Sequence, residues 1–313
     1  MSAKIQVKNV KLTLKTLAEK LGIKPEILAA VWRKRNKYRP VKVGADSRHH
    51  ERIVMDACPE LKEIQRIINR KILAKMPISA AAHGFVPKKS FKSFLLPHRN
   101  SQEFLTLDFK SAFNQIKADR VVSILNEFLA DKNLAKAVAL LVTYLGEVPQ
   151  GVASSPYIFN LACRELDKEL LEFAKANQLI YTRYGDDLCF SSKITGKLRE
   201  LDEQIIEICQ KHGFRINFQK VKFQSAEKQI PEVSGILIEK GKFRISKRKG
   251  IDQLRALIYN ATFDHSISIE QVEGRLGLLR MMYRASGHIK GYLPARLWKV
   301  YNRFRRARGL KIK

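Results

Sequence analysis

The chain has 313 residues, carries 59 Lys and Arg against 30 Asp and Glu for a net charge of +29, and is 45% hydrophobic. That apolar fraction excludes a disordered basic tail, and the length allows a sizeable core in one to three domains. The charge calls for an anionic partner, nucleic acid first and a membrane surface second; the basic residues run through the whole chain, densest at 240–255 and 296–313, which fits a long charged channel better than a short tag.

The opening MSAKIQVKNVKLTLKTL has no apolar core of the kind a signal peptide needs. The most apolar run, LAKAVALLVTYLG, is interrupted by Lys136 and falls short of the ~20 residues that cross a bilayer. Cys58, Cys163, Cys189 and Cys209 form no C-x-x-C pair, so neither zinc nor a disulfide framework is indicated. The expectation is a cytoplasmic protein without a membrane partner.

In chain order, residues 14–35 predict two short helices around Gly22 and Pro25. Residues 60–75 place apolar side chains at 61, 64, 67, 68 and 72, one face of a helix. A basic, turn-rich loop, AAHGFVPKKSFKSF, precedes EFLTLDF, a strand ending at Asp108, and SAFNQIKADRVVSILNEFLA reads as helical. LIYTRY and LCFSS predict a hairpin around Gly185, Asp186 and Asp187. KLRELDEQIIEICQKHG reads as an amphipathic helix stopped by Gly213, FRINFQKVKF and EVSGILIEKGKFRIS as strands, and the remainder from about 250 as basic helices. Trp32 and Trp298 fall on helical faces and read as core; His49, His50 and His83 lack metal-ligand spacing. Helices with a mostly antiparallel sheet make an α+β protein.

Adjacent Asp186 and Asp187 repel each other unless a cation is present. A solvated turn cap is the common bland form of such a pair. Here the pair sits in an apolar hairpin, with a second strand-end carboxylate, Asp108, upstream. Hard oxygen ligands suit magnesium, and two metals on carboxylates of neighbouring strands can activate a hydroxyl and stabilise a leaving phosphate. With a basic channel, that chemistry is nucleotidyl transfer.

Taken in order, the motifs resemble a reverse transcriptase of the retron type over residues 14–285. LTLDFKSAF resembles the first palm motif, PQGVASSPYIFNLACRELDKEL the Gln-Gly loop and its helix, YTRYGDDLCFS the catalytic hairpin, and GFRINFQKVKF the next palm motif; ERIVMDACPELKEIQRII is similar to the fingers motif and AAHGFV to a segment of bacterial members. The resemblance implies a right-hand polymerase fold with fingers over 1–103, palm over 104–240 and a helical thumb over 241–313. It implies that Asp108, Asp186 and Asp187 hold two Mg2+ ions, Asp108 and Asp186 most strongly. Arg52 would grip the incoming triphosphate, as suits a guanidinium. Phe109, Phe113, Gln150 and Gly151 would line the nucleotide pocket, with the Phe113 ring blocking a ribose 2′-hydroxyl. Lys220, or its rival Lys222, would protonate the leaving pyrophosphate. Tyr184 and Gly185 would lie at the primer end. Arg296, Lys299, Arg303, Arg305 and Arg306 would grip RNA or an RNA–DNA hybrid through phosphates.

The implied partners are a structured non-coding RNA, dNTPs and an effector protein encoded nearby, in antiphage defence. The chain departs from the pattern at Gly185, where Ala is usual, at LLPHRN, where Asn-Ala-x-x-His is frequent, and at Val233-Ser234-Gly235 in place of Val-Thr-Gly. Another defence-associated reverse transcriptase of the abortive-infection kind stays open. So does an RNA-dependent RNA polymerase, which shares the GDD signature but is disfavoured by Phe113 and the Gln-Gly loop. A non-catalytic RNA-binding scaffold would have no need of three clustered carboxylates.

Overall fold

Apolar residues three and four apart set the first helices. Leu14, Leu17, Ala18 and Leu21 form the buried stripe of α1 (Val7–Leu21), and Leu28 and Val31 that of α2 (Pro25–Arg33). Gly22 ends α1 at φ +64°, a conformation glycine adopts without strain, and Pro25 starts α2 with its fixed φ. The structure is a computed structural model and describes residues 7–43, 52–245, 252–264, 267–285 and 295–310; His49 and His50 lie outside them.

A hairpin that the sequence reading did not contain comes next. Strands β1 (Tyr38–Val43) and β2 (Arg52–Ala57) pair antiparallel from Tyr38↔Ala57 to Val43↔Arg52. Helix α3 (Pro59–Lys71) buries Leu61, Ile64 and Ile68 on the predicted face but ends at Lys71, ahead of a 3-10 turn over Leu73–Lys75. After α4 (Phe91–Leu95), capped by reciprocal bonds between Ser90 and Ser93, the chain makes a 3-10 turn over Leu96–Asn100 and enters β3 (Glu103–Asp108).

The run predicted as one helix after Asp108 is split. It holds a 3-10 turn over Ala112–Gln115 and then α5 (Ala118–Asn126). Between them the backbone pairs outward: Val148 N–H donates to the Ile116 carbonyl at 3.0 Å and Ala118 N–H to the Gly146 carbonyl at 2.8 Å. Those tertiary bonds outweigh the local helical pattern.

Helices α6 (Lys132–Val142), α7 (Ser155–Ala162) and α8 (Arg164–Ala176) lead to the predicted hairpin, β4 (Ile180–Tyr184) and β5 (Asp187–Ser192). Helix α9 (Asp202–Lys211) follows a 3-10 turn over Lys197–Glu200. The stretch 214–223, predicted as one strand, is a correction: Ile216 makes a single bridge to Phe109, Phe218–Lys220 is a 3-10 turn, and only β6 (Lys222–Ser225) is regular strand. Strands β7 (Glu232–Val233), β8 (Ile236–Glu239) and β9 (Lys242–Ile245) and helices α10 (Asp252–Phe263), α11 (Ile269–Ala285) and α12 (Ala295–Ala307) complete the described chain.

The chain divides into two compact units, each assembled from separate segments. The first takes the described residues within 1–85, 109–172 and 204–217. At its centre Phe109 stacks on Phe214 with ring centroids 4.7 Å apart, and Phe159 touches both and Phe113. The Arg120 guanidinium lies over Phe214 and bonds the carbonyls of Ala162 and His212, closing that core with a satisfied cation.

The second unit takes the described residues within 86–108, 173–203 and 218–313. It holds an antiparallel four-stranded sheet in the order β4-β5-β3-β6 and an antiparallel three-stranded sheet β7-β8-β9. Phe94, Leu95, Phe104, Cys189, Val233, Ile236, Ile238 and Phe243 share one core, and Leu254, Ile258, Val272, Leu276, Leu297, Tyr301 and Phe304 join α10, α11 and α12 in another, with Trp298 packed against it. The class is α+β, as predicted. Among the described residues no helix is long and apolar enough to cross a membrane.

Candidate active site

The site is built from strand register. β3 carries its last residue, Asp108, directly opposite Asp187, the first residue of β5. Opposed antiparallel residues point to the same face with Cβ atoms about 5 Å apart, so these two carboxylates are neighbours. The β4–β5 hairpin closes with the Tyr184↔Asp187 pair, which leaves Gly185 and Asp186 as its two-residue loop. Gly185 takes φ +63°, as the turn requires. Beneath the turn Arg183 is fully buried, and its Nη1 donates to the Gly185 carbonyl at 2.9 Å. The three acidic residues thus gather at one end of the four-stranded sheet.

Two other side chains enter this cluster. Lys220 Nζ lies 2.8 Å from Asp108 Oδ2. The break in the strand over 214–223 releases Lys220 from the sheet ladder, whereas Lys222 stays paired with Thr106 in β6; of the two rival lysines, Lys220 is the one brought to a carboxylate. The Ser234 hydroxyl donates to Asp187 Oδ2 at 2.9 Å. Ser234 and Gly235 form the tip of the two-residue β7–β8 turn with φ values of +46° and +88°, so a strained serine is aimed at the site.

Burial, then the Asp186 carboxylate, pushes Asp187 up to about 6; the Ser234 hydrogen bond opposes this, Asp108 adds to it and Lys220 offsets part. The cluster is therefore short of positive charge. Among the described residues no three His, Cys, Asp or Glu side chains converge closely enough to form a ready-made metal cage. The donor set itself fits a hard divalent cation: three carboxylates at one sheet end, with Asp108 buried and the ionisation of half-buried Asp187 opposed by the other two. Lys220 supplies a positive charge to Asp108 meanwhile. Replacing it by Met is expected to lower stability without divalent ions by about 1 kcal/mol or less, since Lys220 is 48% exposed. The Mg2+-induced rise in Tm should then be larger than in wild type. Thermal melts with and without MgCl2 check this, and equal rises would remove Lys220 from the charge balance.

In the first unit, Gln150 and Gly151 are tied to β2. The Met55 N–H donates to the Gln150 carbonyl at 2.8 Å. Gly151 has φ +101°, and a Cβ there would come within 2.9 Å of Val54 Cβ and 3.0 Å of the Met55 carbonyl, so the Gln-Gly loop needs its glycine twice over. Arg52 begins β2, the strand that loop contacts. Phe113 is half-buried with its ring 5.1 Å from Phe159. Phe109 is a correction: at 1% exposure its ring belongs to the aromatic core, not to a nucleotide pocket.

Helix α12 brings a second correction. Arg305 is buried, and its Nη1 donates to Glu273 Oε1 at 3.2 Å and to the Tyr301 hydroxyl at 2.9 Å. It joins α12 to α11 and is not presented to a phosphate. Lys299, Arg303 and Arg306 are exposed, Arg303 with its guanidinium over the Phe263 ring. Arg296 lies in the first turn of α12.

Sequence reasoning missed Arg183 and the contact made by Ser234. Arg183 is one of many basic residues and only its alternation between Thr182 and Tyr184 hints at a fixed face. Ser234 stood out solely as a variation on a motif.

Three carboxylates and a lysine at the end of an antiparallel sheet, one acid in the loop of a tight hairpin, are an arrangement suited to metal-assisted nucleotidyl transfer. The chain belongs to the reverse transcriptase (RNA-dependent DNA polymerase) family, which it matches over residues 33–251. It is 28% identical over 242 residues to the retron Ec86 reverse transcriptase of Escherichia coli, spanning 77% of this chain and 74% of that one. It is also 28% identical over 273 residues to the retron Mx162 reverse transcriptase of Myxococcus xanthus, covering 76% of this chain but only 56% of that longer protein. With these relatives it is an RNA-directed DNA polymerase of the retron type. Among solved structures, apo telomerase from Candida tropicalis aligns with 88% of this chain and 64% of that one at a TM-score of 0.49 and 11% identity.

Proposed function

We propose that the chain copies part of a structured non-coding RNA into single-stranded DNA that stays joined to that RNA, acting in the cytoplasm, in antiphage defence beside an effector protein. The observation that carries the catalytic part is the Asp108↔Asp187 pairing at the GDD hairpin with Lys220 on Asp108. Asp108, Asp186 and Asp187 would hold two Mg2+ ions, which would supply Lewis-acid activation of the attacking hydroxyl and charge stabilisation of the leaving phosphate.

The chain's own groups do the rest. Lys220 moves a proton from its ammonium to the departing pyrophosphate. Arg52 grips the triphosphate in a bidentate manner, and Gln150 and Gly151 shape the pocket with backbone that Val54 and Met55 hold rigid. The Phe113 ring, backed by Phe159, excludes a 2′-hydroxyl. Tyr184 and Gly185 support the primer end. Arg296, Lys299, Arg303 and Arg306 bind RNA or hybrid phosphates. Fingers, palm and thumb correspond to 1–103, 104–240 and 241–313.

The test is a search of the flanking DNA for an inverted-repeat RNA gene and co-expression of the chain with that flanking DNA, followed by isolation of nucleic acid. A DNA strand whose mobility changes on RNase treatment is expected. If no linked strand forms while RNA-templated DNA synthesis persists in vitro, the retron product is wrong and the polymerase assignment stands.

A further inference from the structure

Behind the hairpin lies a polar cluster that neither metal binding nor nucleotide contact uses. His98, in the 3-10 turn after α4, is fully buried. Its Nε2 lies 2.7 Å from Thr182 Oγ1 on β4, and its Nδ1 lies 2.6 Å from Ser191 Oγ on β5. Thr182 donates to the Phe94 carbonyl at 3.0 Å, and Ser101 Oγ is 2.8 Å from Ser191 Oγ.

The hydrogens follow from these contacts. The Thr182 hydroxyl spends its proton on a carbonyl, so its oxygen accepts from His98 Nε2–H. In the neutral ring Nδ1 then accepts from Ser191, whose oxygen accepts from Ser101. One imidazole thus bridges both strands of the hairpin and ties them to α4. The register makes this matter. Among the described residues β4 is the edge of its sheet, with β5 beside it. Thr182, Tyr184, Asp187 and Ser191 share the face toward α4, because Thr182 opposes Cys189 and Tyr184 opposes Asp187. Above the bridge, the Tyr184 ring rests on Phe91 and Phe94 with centroids at 5.1 and 5.7 Å.

We infer that His98 is a positioning residue for catalysis, which fixes the height and tilt of the Tyr184–Asp187 hairpin end through Thr182 and Ser191. The inference rests on reading that end as the polymerase active site. A histidine suits the task because its two nitrogens stand on opposite sides of a rigid ring and offer one donor and one acceptor. A loosened edge strand would misplace the acidic loop, and displacement of about 1 Å can cost on the order of a hundredfold in rate.

The experiment is single-turnover extension of an RNA-templated primer, with burst amplitude counting competent sites. The variants are His98→Phe, His98→Gln, Thr182→Val and the double variant His98→Phe/Thr182→Val. His98→Phe and Thr182→Val are each expected to slow the rate per competent site by about tenfold or more, with dNTP affinity and RNA affinity unchanged. His98→Gln, which keeps a donor and an acceptor, should recover most of the rate. The double variant should be no slower than its slower parent. If His98→Phe does not fold, Thr182→Val, which keeps the shape, decides alone. A normal rate per competent site, with only Tm or the number of sites reduced, would make His98 a core residue and overturn the inference. An inactive wild type would overturn the polymerase reading instead.

Discussion

Asp186→Asn should reduce DNA synthesis by about 10²- to 10³-fold, the cost of losing one preorganised electrostatic group at a reacting phosphate. Asp186 sits in the two-residue loop between Tyr184 and Asp187, and the hairpin beneath it is held by backbone pairing and by Arg183 bonding the Gly185 carbonyl. The substitution removes charge and leaves the backbone pairing of the hairpin in place. RNA affinity should stay the same or rise slightly, because deleting a negative charge cannot weaken binding to a polyanion. The split between lost synthesis and retained binding is the informative result. Primer extension and RNA titration on one preparation measure it, and wild-type extension by the Asn variant would sink the metal-site assignment.

Phe159→Ala should destabilise the protein by about 3–5 kcal/mol, the usual loss for a large aromatic removed from a closed core. The ring is fully buried and lies 5.1 Å from Phe113, 6.2 Å from Phe214 and 6.4 Å from Phe109. Its neighbours are already committed: Phe214 carries the Arg120 guanidinium and stacks on Phe109. Little can collapse into the space. Denaturant titration reads the loss, and a change below about 1 kcal/mol would mean that the aromatic cluster relaxes freely. Phe113 also loses its backing, so selection of deoxynucleotides should weaken in the protein that remains folded.

The acidic hairpin was legible because two signals agreed there: β-prone runs on each side and a glycine where the loop needs positive φ. Asp108 was legible as the end of an apolar strand. The aromatic pair Phe109 and Phe113 shows the limit of spacing. Both follow Asp108 closely, yet the bridge from Phe109 to Ile216 sends one ring into the core while the 3-10 turn leaves the other half-exposed. The split at 111–130 was hidden because bonds to Gly146 and Val148 come from a distant turn. Likewise the break over 214–223, which frees Lys220, looks like an uninterrupted strand by alternation alone. Arg305 read as one more cation on a basic helix; only the fold supplies Glu273 as its partner. His98 stood out only as the histidine of LLPHRN, where Asn-Ala-x-x-His is frequent; its role was hidden because its partners lie 84 and 93 residues away.

RNA-templated DNA synthesis is proposed to take place at the Asp108–Asp187 end of the sheet. The most direct test is kcat/KM for a matched dNTP and the corresponding rNTP on an RNA-templated primer with Mg2+. Mg2+-dependent extension that prefers the dNTP is expected, through a clash at Phe113 felt in the transition state. Extension that prefers the rNTP, or none on an RNA template, would contradict it.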